Sequence, residues 1–119
     1  MTNLNTSGIP QSWGDCLIVL NGKDAKKVAH NTWLFKRIEE DYVYYAIRYH
    51  NTDIAEFYLN GDIHISNGGW DTSTTKSRLN AIISRYGLRI TQTDYQWYLN
   101  DKPMHGSAVI ETKMGTVIL

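Results

Sequence analysis

A chain of 119 residues, 42% of them hydrophobic, has the length of one ordinary domain and enough apolar content for a core of its own. Twelve Lys plus Arg balance twelve Asp plus Glu, which excludes attachment to nucleic acid or an anionic membrane through net charge, so any such partner needs a local patch. The single cysteine, Cys16, excludes an internal disulfide, and the lack of a basic-then-apolar leader or a membrane-length apolar run predicts a cytoplasmic protein.

The elements follow in chain order. Residues 1–12, polar with Gly8 and Pro10, predict a flexible lead-in, and residues 13–119 one domain. Residues 16–20, CLIVL, have strand composition and end at Asn21-Gly22, a turn dipeptide, so a first strand is expected there. Residues 23–30 carry too little apolar content for an element and are read as a loop.

From Trp33 the period is two. Trp33, Phe35 and Arg37 fall on one face, Leu34, Lys36 and Ile38 on the other. A charged turn at Glu39-Glu40-Asp41 leads into a second strand over 42–49, the break His50-Asn51-Thr52 into a third over 53–59, and Asn60-Gly61 into a fourth over 62–66 with Ile63 and Ile65 inward.

At Leu79 the period changes to that of a helix, with Leu79, Ile82, Ile83 and Tyr86 on one stripe and Lys76, Arg78, Ser84 and Arg85 pointing elsewhere. The helix is expected at about 73–86, capped by a hydroxyl in the 72–75 region and stopped at Gly87. Beyond it, residues 88–91 with 95–99, and 107–111 with 116–119, read as two further hairpins. The fold class is therefore α+β: a curved antiparallel β-meander with one helix packed on it.

The segment NGGWDTSTTKSRLN, residues 67–80, joins a strand to that helix. Open amides at a helix start, the hydroxyls of Thr72, Thr74 and Thr75, and the cations Lys76 and Arg78 are what a phosphate needs. The competing explanation is a helix that caps itself, with the cations a solvated face; neither GxxxxGK[ST] nor GxGxxG is present.

Charge is unevenly spread. Residues 23–37 hold Lys23, Lys26, Lys27, Lys36 and Arg37 against Asp24, and residues 76–89 hold Lys76, Arg78, Arg85 and Arg89 with no acid. Residues 39–62 hold Glu39, Glu40, Asp41, Asp53, Glu56 and Asp62 against Arg48. If the two cationic segments meet with Trp70 or Trp97 exposed between them, they form a basic groove with stacking platforms for nucleic acid. The alternative is that these charges pair with the acidic block.

His50 with Asp53, and Asp62 with His64, are the weak candidates for a metal or general-base site, without the spacing of any established metal motif. Cys16 lies in an apolar run and reads as an inert thiol. No cofactor is expected.

The order Asn31-Thr32-Trp33, then Arg48-Tyr49-His50-Asn51-Thr52-Asp53-Ile54, then residues 68–80 resembles a family of small uncharacterised proteins of bacteriophages, archaeal viruses and other mobile elements. Its pattern is NT[WY]L, then hxTD[IV], then GGWxTxTTKxR[LIM]N, and the match runs over about residues 31–99. The resemblance implies a viral or mobile-element accessory protein, acting in the host cytoplasm if viral, and places Trp70, Thr72, Thr74, Thr75, Lys76, Arg78 and Asn80 in the family motif.

Two functions follow as expectations. The first is a non-enzymatic binding module that contacts nucleic acid or another phosphate-bearing partner through Trp70, Thr72, Thr74, Thr75, Lys76, Arg78 and Arg85, with Lys36 and Arg37 from the other basic segment. The second is a protein-protein inhibitor of a host factor acting through the acidic block 39–62. An enzyme ranks third.

Overall fold

Ser12 opens the first element. In a computed structural model that describes residues 6–69 and 71–119, its side chain accepts a hydrogen bond from the Asp15 amide at 3.1 Å, and helix α1 runs Trp13–Leu20. The strand expected over residues 16–20 is therefore a helix. The reason is local: Ser12 caps it, Asp15 sits favourably in its first turn, and Asn21, at φ 49°, closes it with an N–H to Leu17 O. An apolar run this short has no period of its own and takes the structure its caps impose. Cys16 and Leu20 are buried one turn apart while Leu17 and Ile18 face solvent. Ahead of α1, Ile9 and Pro10 are buried and the Gln11 amide donates to Ala81 O at 2.8 Å, so residues 9–11 lie against the fold.

The segment read as a loop contains strand β1, Ala25–Ala29, which pairs antiparallel with β2, Thr32–Glu39. Its lysines hid it: an edge strand needs charge on its exposed positions more than it needs apolar residues. Then come β3, Tyr42–Tyr49, β4, Thr52–Phe57, and β5, Asp62–Ser66, the expected meander. Strands β9, Ser107–Glu111, and β10, Thr116–Ile118, return late in the chain and extend it beyond β5. The result is a seven-stranded antiparallel sheet in the order β1-β2-β3-β4-β5-β9-β10, with irregular register at Lys27/Ala29 and at Ile47/Arg48 that adds to its curvature.

Helix α2 spans Ser73–Ile83 and passes through a 3₁₀ turn, Ser84–Tyr86, to Gly87 at φ 72°. Both expected ends hold: Thr72 is the N-cap, and Gly87 takes the left-handed position. A three-stranded sheet follows, β6, Ile90–Thr93, β7, Gln96–Leu99, and the short β8, Lys102–Pro103. The two expected hairpins are present as β6–β7 and β9–β10; what the chain adds to the expectation, within the same α+β class, is the helix α1, the strand β1 and the short β8, which makes the first hairpin a separate small sheet.

The core lies on one face of the large sheet. Leu34, Ile47, Phe57, Ile63, Ile65 and Ile110 share that face by register and pack with Leu79, Ile82 and Ile83 of α2 and with Cys16 and Leu20 of α1. Ile90, Trp97, Leu99 and Met104 of the small sheet join the same cluster. Among the described residues no helix is long and apolar enough to cross a membrane.

Candidate functional site

The described residues of 67–80 are held chiefly by one another and by the sheet. Thr72 Oγ1 accepts from the Thr75 amide at 3.2 Å and lies 2.9 Å from Thr75 Oγ1, while Thr74 Oγ1 receives the Tyr49 hydroxyl at 3.0 Å. Asn67 spans the preceding turn, its Oδ1 accepting from Gly69 N at 2.8 Å and its amide donating to Asp71 at 2.6 Å. Gly68, at φ 65°, is required by close approach: a Cβ there would stand 2.4 Å from Thr52 Cγ2.

Arg78 differs most from expectation. Read as pointing away from the apolar stripe, it is 1% exposed. Its Nε donates to Thr32 Oγ1 at 2.6 Å, Nη2 to His30 O at 2.8 Å and Nη1 to Thr74 O at 3.1 Å, and its guanidinium lies 4.3 Å over the Tyr49 ring. Burial lowers its pKa, with Tyr49 acting in the opposite direction. The three segments that carry the resemblance, 31–33, 48–54 and 68–80, therefore meet around one buried cation that ties α2 to the turns before β2 and β4. Beside it, Tyr49, His50, Asn51, Thr52, Thr72 and Thr75 line a cleft of about 370 Å³.

The other predicted cations do not gather there. Lys76 Nζ donates to Gln92 at 3.3 Å, Arg85 pairs with Asp15 at 3.2 Å near the opposite end of α2, and Arg37 pairs with Asp53 at 2.8 Å on the far face of the sheet. Lys36 is exposed. Trp97 is 3% exposed and belongs to the core, so it offers no stacking surface. Trp70, the other expected platform, lies outside the described residues.

The weak metal candidates also separate. His50 is exposed in the β3–β4 turn, Asp53 is engaged by Arg37, Asp62 hydrogen bonds with Asn60, and His64 faces Glu56 at 3.9 Å. Among the described residues no group of three or more His, Cys, Asp or Glu is placed to hold a metal ion. Burial, reinforced by Asp15, pushes the Cys16 thiol well above its usual value, which makes it a poor nucleophile.

The arrangement that sequence reasoning passed over is the face of the large sheet opposite the core. Register puts Trp33, Phe35, Arg37 and Glu39 of β2 beside Arg48, Ala46, Tyr44 and Tyr42 of β3, with Asp53 and Glu56 of β4 and His64 of β5 continuing the same surface. Both helices and the small sheet pack on the other side, and Trp33 and Tyr42 are 41% and 51% exposed.

Rings run across it in two groups. Trp33 and Phe35 stack at 6.1 Å with Arg37 over Phe35, and Tyr42, Tyr44 and Tyr58 follow at 6.0 and 5.3 Å, with His64 4.7 Å from Tyr58. The Tyr58 hydroxyl donates to Glu56 at 2.9 Å. Partial burial and then the charges of Glu56 and Glu39 push the Tyr44 phenol up, while burial and the Glu56 contact push Tyr58 up further. The surface is thus aromatic and carries charge of both signs, with Glu39, Asp53 and Glu56 set among Lys27, Arg37 and Arg48. Glu56, named from the sequence only as one member of the acidic block 39–62, is its central carboxylate, paired across strands with Ala46 and His64.

Neither curated proteins nor solved structures provide a match to this chain. The family described as Kyanoviridae Gp96 protein matches residues 16–116, from within α1 to the first residue of β10, and the chain belongs to that phage protein family.

Proposed function

We propose that this phage protein is an accessory binding module that covers a basic surface of a host protein with the open face of its seven-stranded sheet. The observation that carries the reading is the coincidence, on one uncovered face, of the rings of Trp33, Tyr42, Tyr44 and Tyr58 with the carboxylates of Glu39 and Glu56. Tyr and Trp bury large areas at low entropic cost and so serve as anchors, and carboxylates around them favour and steer a cationic partner. Glu40 and Asp41 in the β2–β3 turn extend the acidic rim of that face.

A second reading keeps the phosphate-bearing or nucleic-acid partner at the start of α2, and one observation favours it. Among the described residues Arg78 has no carboxylate within ion-pair distance, and its charge lies behind Tyr49, a wall of the cleft that the Thr72 and Thr75 hydroxyls also line. Trp70, Lys76 and the family pattern GGWxTxTTKxR belong to this reading. It ranks second because Arg78 spends its donors inside the fold, whereas the aromatic rings of the sheet face are uncovered.

Capture from nuclease-treated host lysate separates the two. The native chain is expected to retain a protein partner that is lost with Glu39→Lys/Glu40→Lys/Asp41→Lys and with Tyr42→Ala, both of which keep the native melting temperature within a few degrees. Capture indifferent to both variants, or lost on nuclease treatment, contradicts the sheet-face reading.

A further inference from the structure

The charges of the open face are sorted along the strands. Lys27 and Arg48 stand on either side of Trp33 at one end of β2, whereas Glu39 pairs with Tyr42 at the other, and Glu40 and Asp41 form the turn between them. Residues 33 and 39 lie roughly 20 Å apart along the strand. At the acidic end is a groove of about 450 Å³, bordered by the β2–β3 and β4–β5 turns, whose walls include Trp13 of α1, Tyr42, Tyr58 and Leu59. Leu59 is 72% exposed, so this apolar wall is uncovered. Asn60, also in the lining, is spent on Asp62, donating to its carboxylate at 3.2 Å and accepting from its amide at 2.9 Å, and the Tyr58 hydroxyl is spent on Glu56. Asp41 is the charged residue of the lining, and among the described residues no cation or donor engages its carboxylate. Trp13 begins α1, but Asp15 in the first turn already answers the positive end of that helix.

We infer that this groove is a subsite for an arginine side chain of the host protein. The choice follows from what each class of side chain would meet there. An acidic one meets Asp41 as a like charge. An apolar one covers the rings but strips water from a carboxylate that it cannot pair. A cation satisfies both parts of the lining, because aromatic faces attract it and the carboxylate accepts its N–H groups. Guanidinium is favoured over ammonium: it is planar, more weakly hydrated, stacks on rings and presents two parallel donors to a carboxylate. The inference rests on the sheet-face reading for the source of the arginine, Tyr42 and Tyr58 being common to both. The chemistry of the groove stands on its lining alone.

Titration of the chain with N-acetyl-arginine methylamide at low salt, followed in ¹H–¹⁵N correlation spectra, tests it. Saturable shifts are expected at the Trp13 indole N–H and at the amides of residues 41–43 and 58–60, with a dissociation constant on the order of 10 mM, which one exposed cation–π contact and one exposed ion pair supply together. The lysine analogue and the neutral isostere N-acetyl-citrulline methylamide should each bind at least about threefold more weakly, and so should the arginine analogue to Asp41→Asn, which lies in an exposed turn and should keep the native far-UV circular dichroism. Shifts that do not saturate, that fall elsewhere on the chain, or that the lysine or citrulline analogue reproduces at equal strength overturn the inference. A silent titration with host capture intact removes the groove and leaves the sheet-face reading; saturable arginine binding without host capture removes that reading and leaves the groove.

Discussion

At the scale of the residue, Arg78 is the side chain on which the α2 region depends. A fully buried guanidinium with three hydrogen bonds and a ring beneath it contributes through satisfied donors and packing together. Removing it strands His30 O and Thr32 Oγ1 and leaves a cavity. Arg78→Ala is therefore expected to cost about 3 kcal/mol or more in urea unfolding, and Arg78→Lys, which keeps the charge but loses the planar fork, an intermediate amount. A cost under about 0.5 kcal/mol, the range of an ordinary surface change, would refute the structural role given to Arg78.

The tyrosines make a second prediction at this scale. Tyr44, Tyr45, Tyr58 and Tyr86 all have phenols raised above the usual value of 10.0, each chiefly by burial. A raised value means that the folded state holds the proton more tightly than the unfolded state does. The associated stability is complete below the unfolded value and is lost as pH rises from about 10 toward the folded values. Unfolding free energy should fall over that interval, with a shallower fall in Tyr58→Phe. An identical slope in Tyr58→Phe would remove Tyr58 from this account.

At the scale of the element, Asn80 joins α2 to the small sheet. Its side chain donates to Ile90 O at 3.0 Å and accepts from Ile90 N at 2.7 Å, serving both backbone groups of a buried residue. Asn80→Ala leaves both unpaired, for an expected cost of about 2 kcal/mol and faster amide exchange across residues 90–104 than across β2–β5. Uniform exchange in the two regions would contradict that division.

Legibility also divides by element. The meander β2–β5 could be read because its strands alternate cleanly, and α2 because its stripe and both its ends carry recognisable residues. Helix α1 was hidden because five apolar residues have no period and the Ser12-to-Asp15 cap spacing outweighs their strand preference. Strand β1 was hidden because an edge strand guarded by lysines looks like a polar loop. Arg78 was misplaced because apolar type stood in for burial. The α2 stripe runs back one turn through Thr75 and Arg78, and spacing alone would have put the arginine inside. The open face was half legible: alternation sorted Trp33, Phe35 and Arg37 onto one side, but both sides of β2 carry large apolar residues, so only packing could decide which side the helices cover.

At the scale of the whole molecule, neutral composition conceals an asymmetric surface. One face of the large sheet takes up the helices, the small sheet and the core, and the other presents stacked rings among carboxylates and the cations Lys27, Arg37 and Arg48. The basic segments that seemed able to form a groove are instead dispersed, with Arg78 inside, Arg37 and Arg85 paired with acids, and Lys76 bound to Gln92. On the proposed reading, the partner is a broad surface met by rings and carboxylates rather than a phosphate held at a single point.

The most direct measurement is amide hydrogen exchange of the chain alone and in complex with the captured host protein. The account predicts slowed exchange across residues 32–57, with residues 72–80 unchanged. Protection confined to residues 49–52 and 72–80, the walls of the α2 cleft, would contradict it.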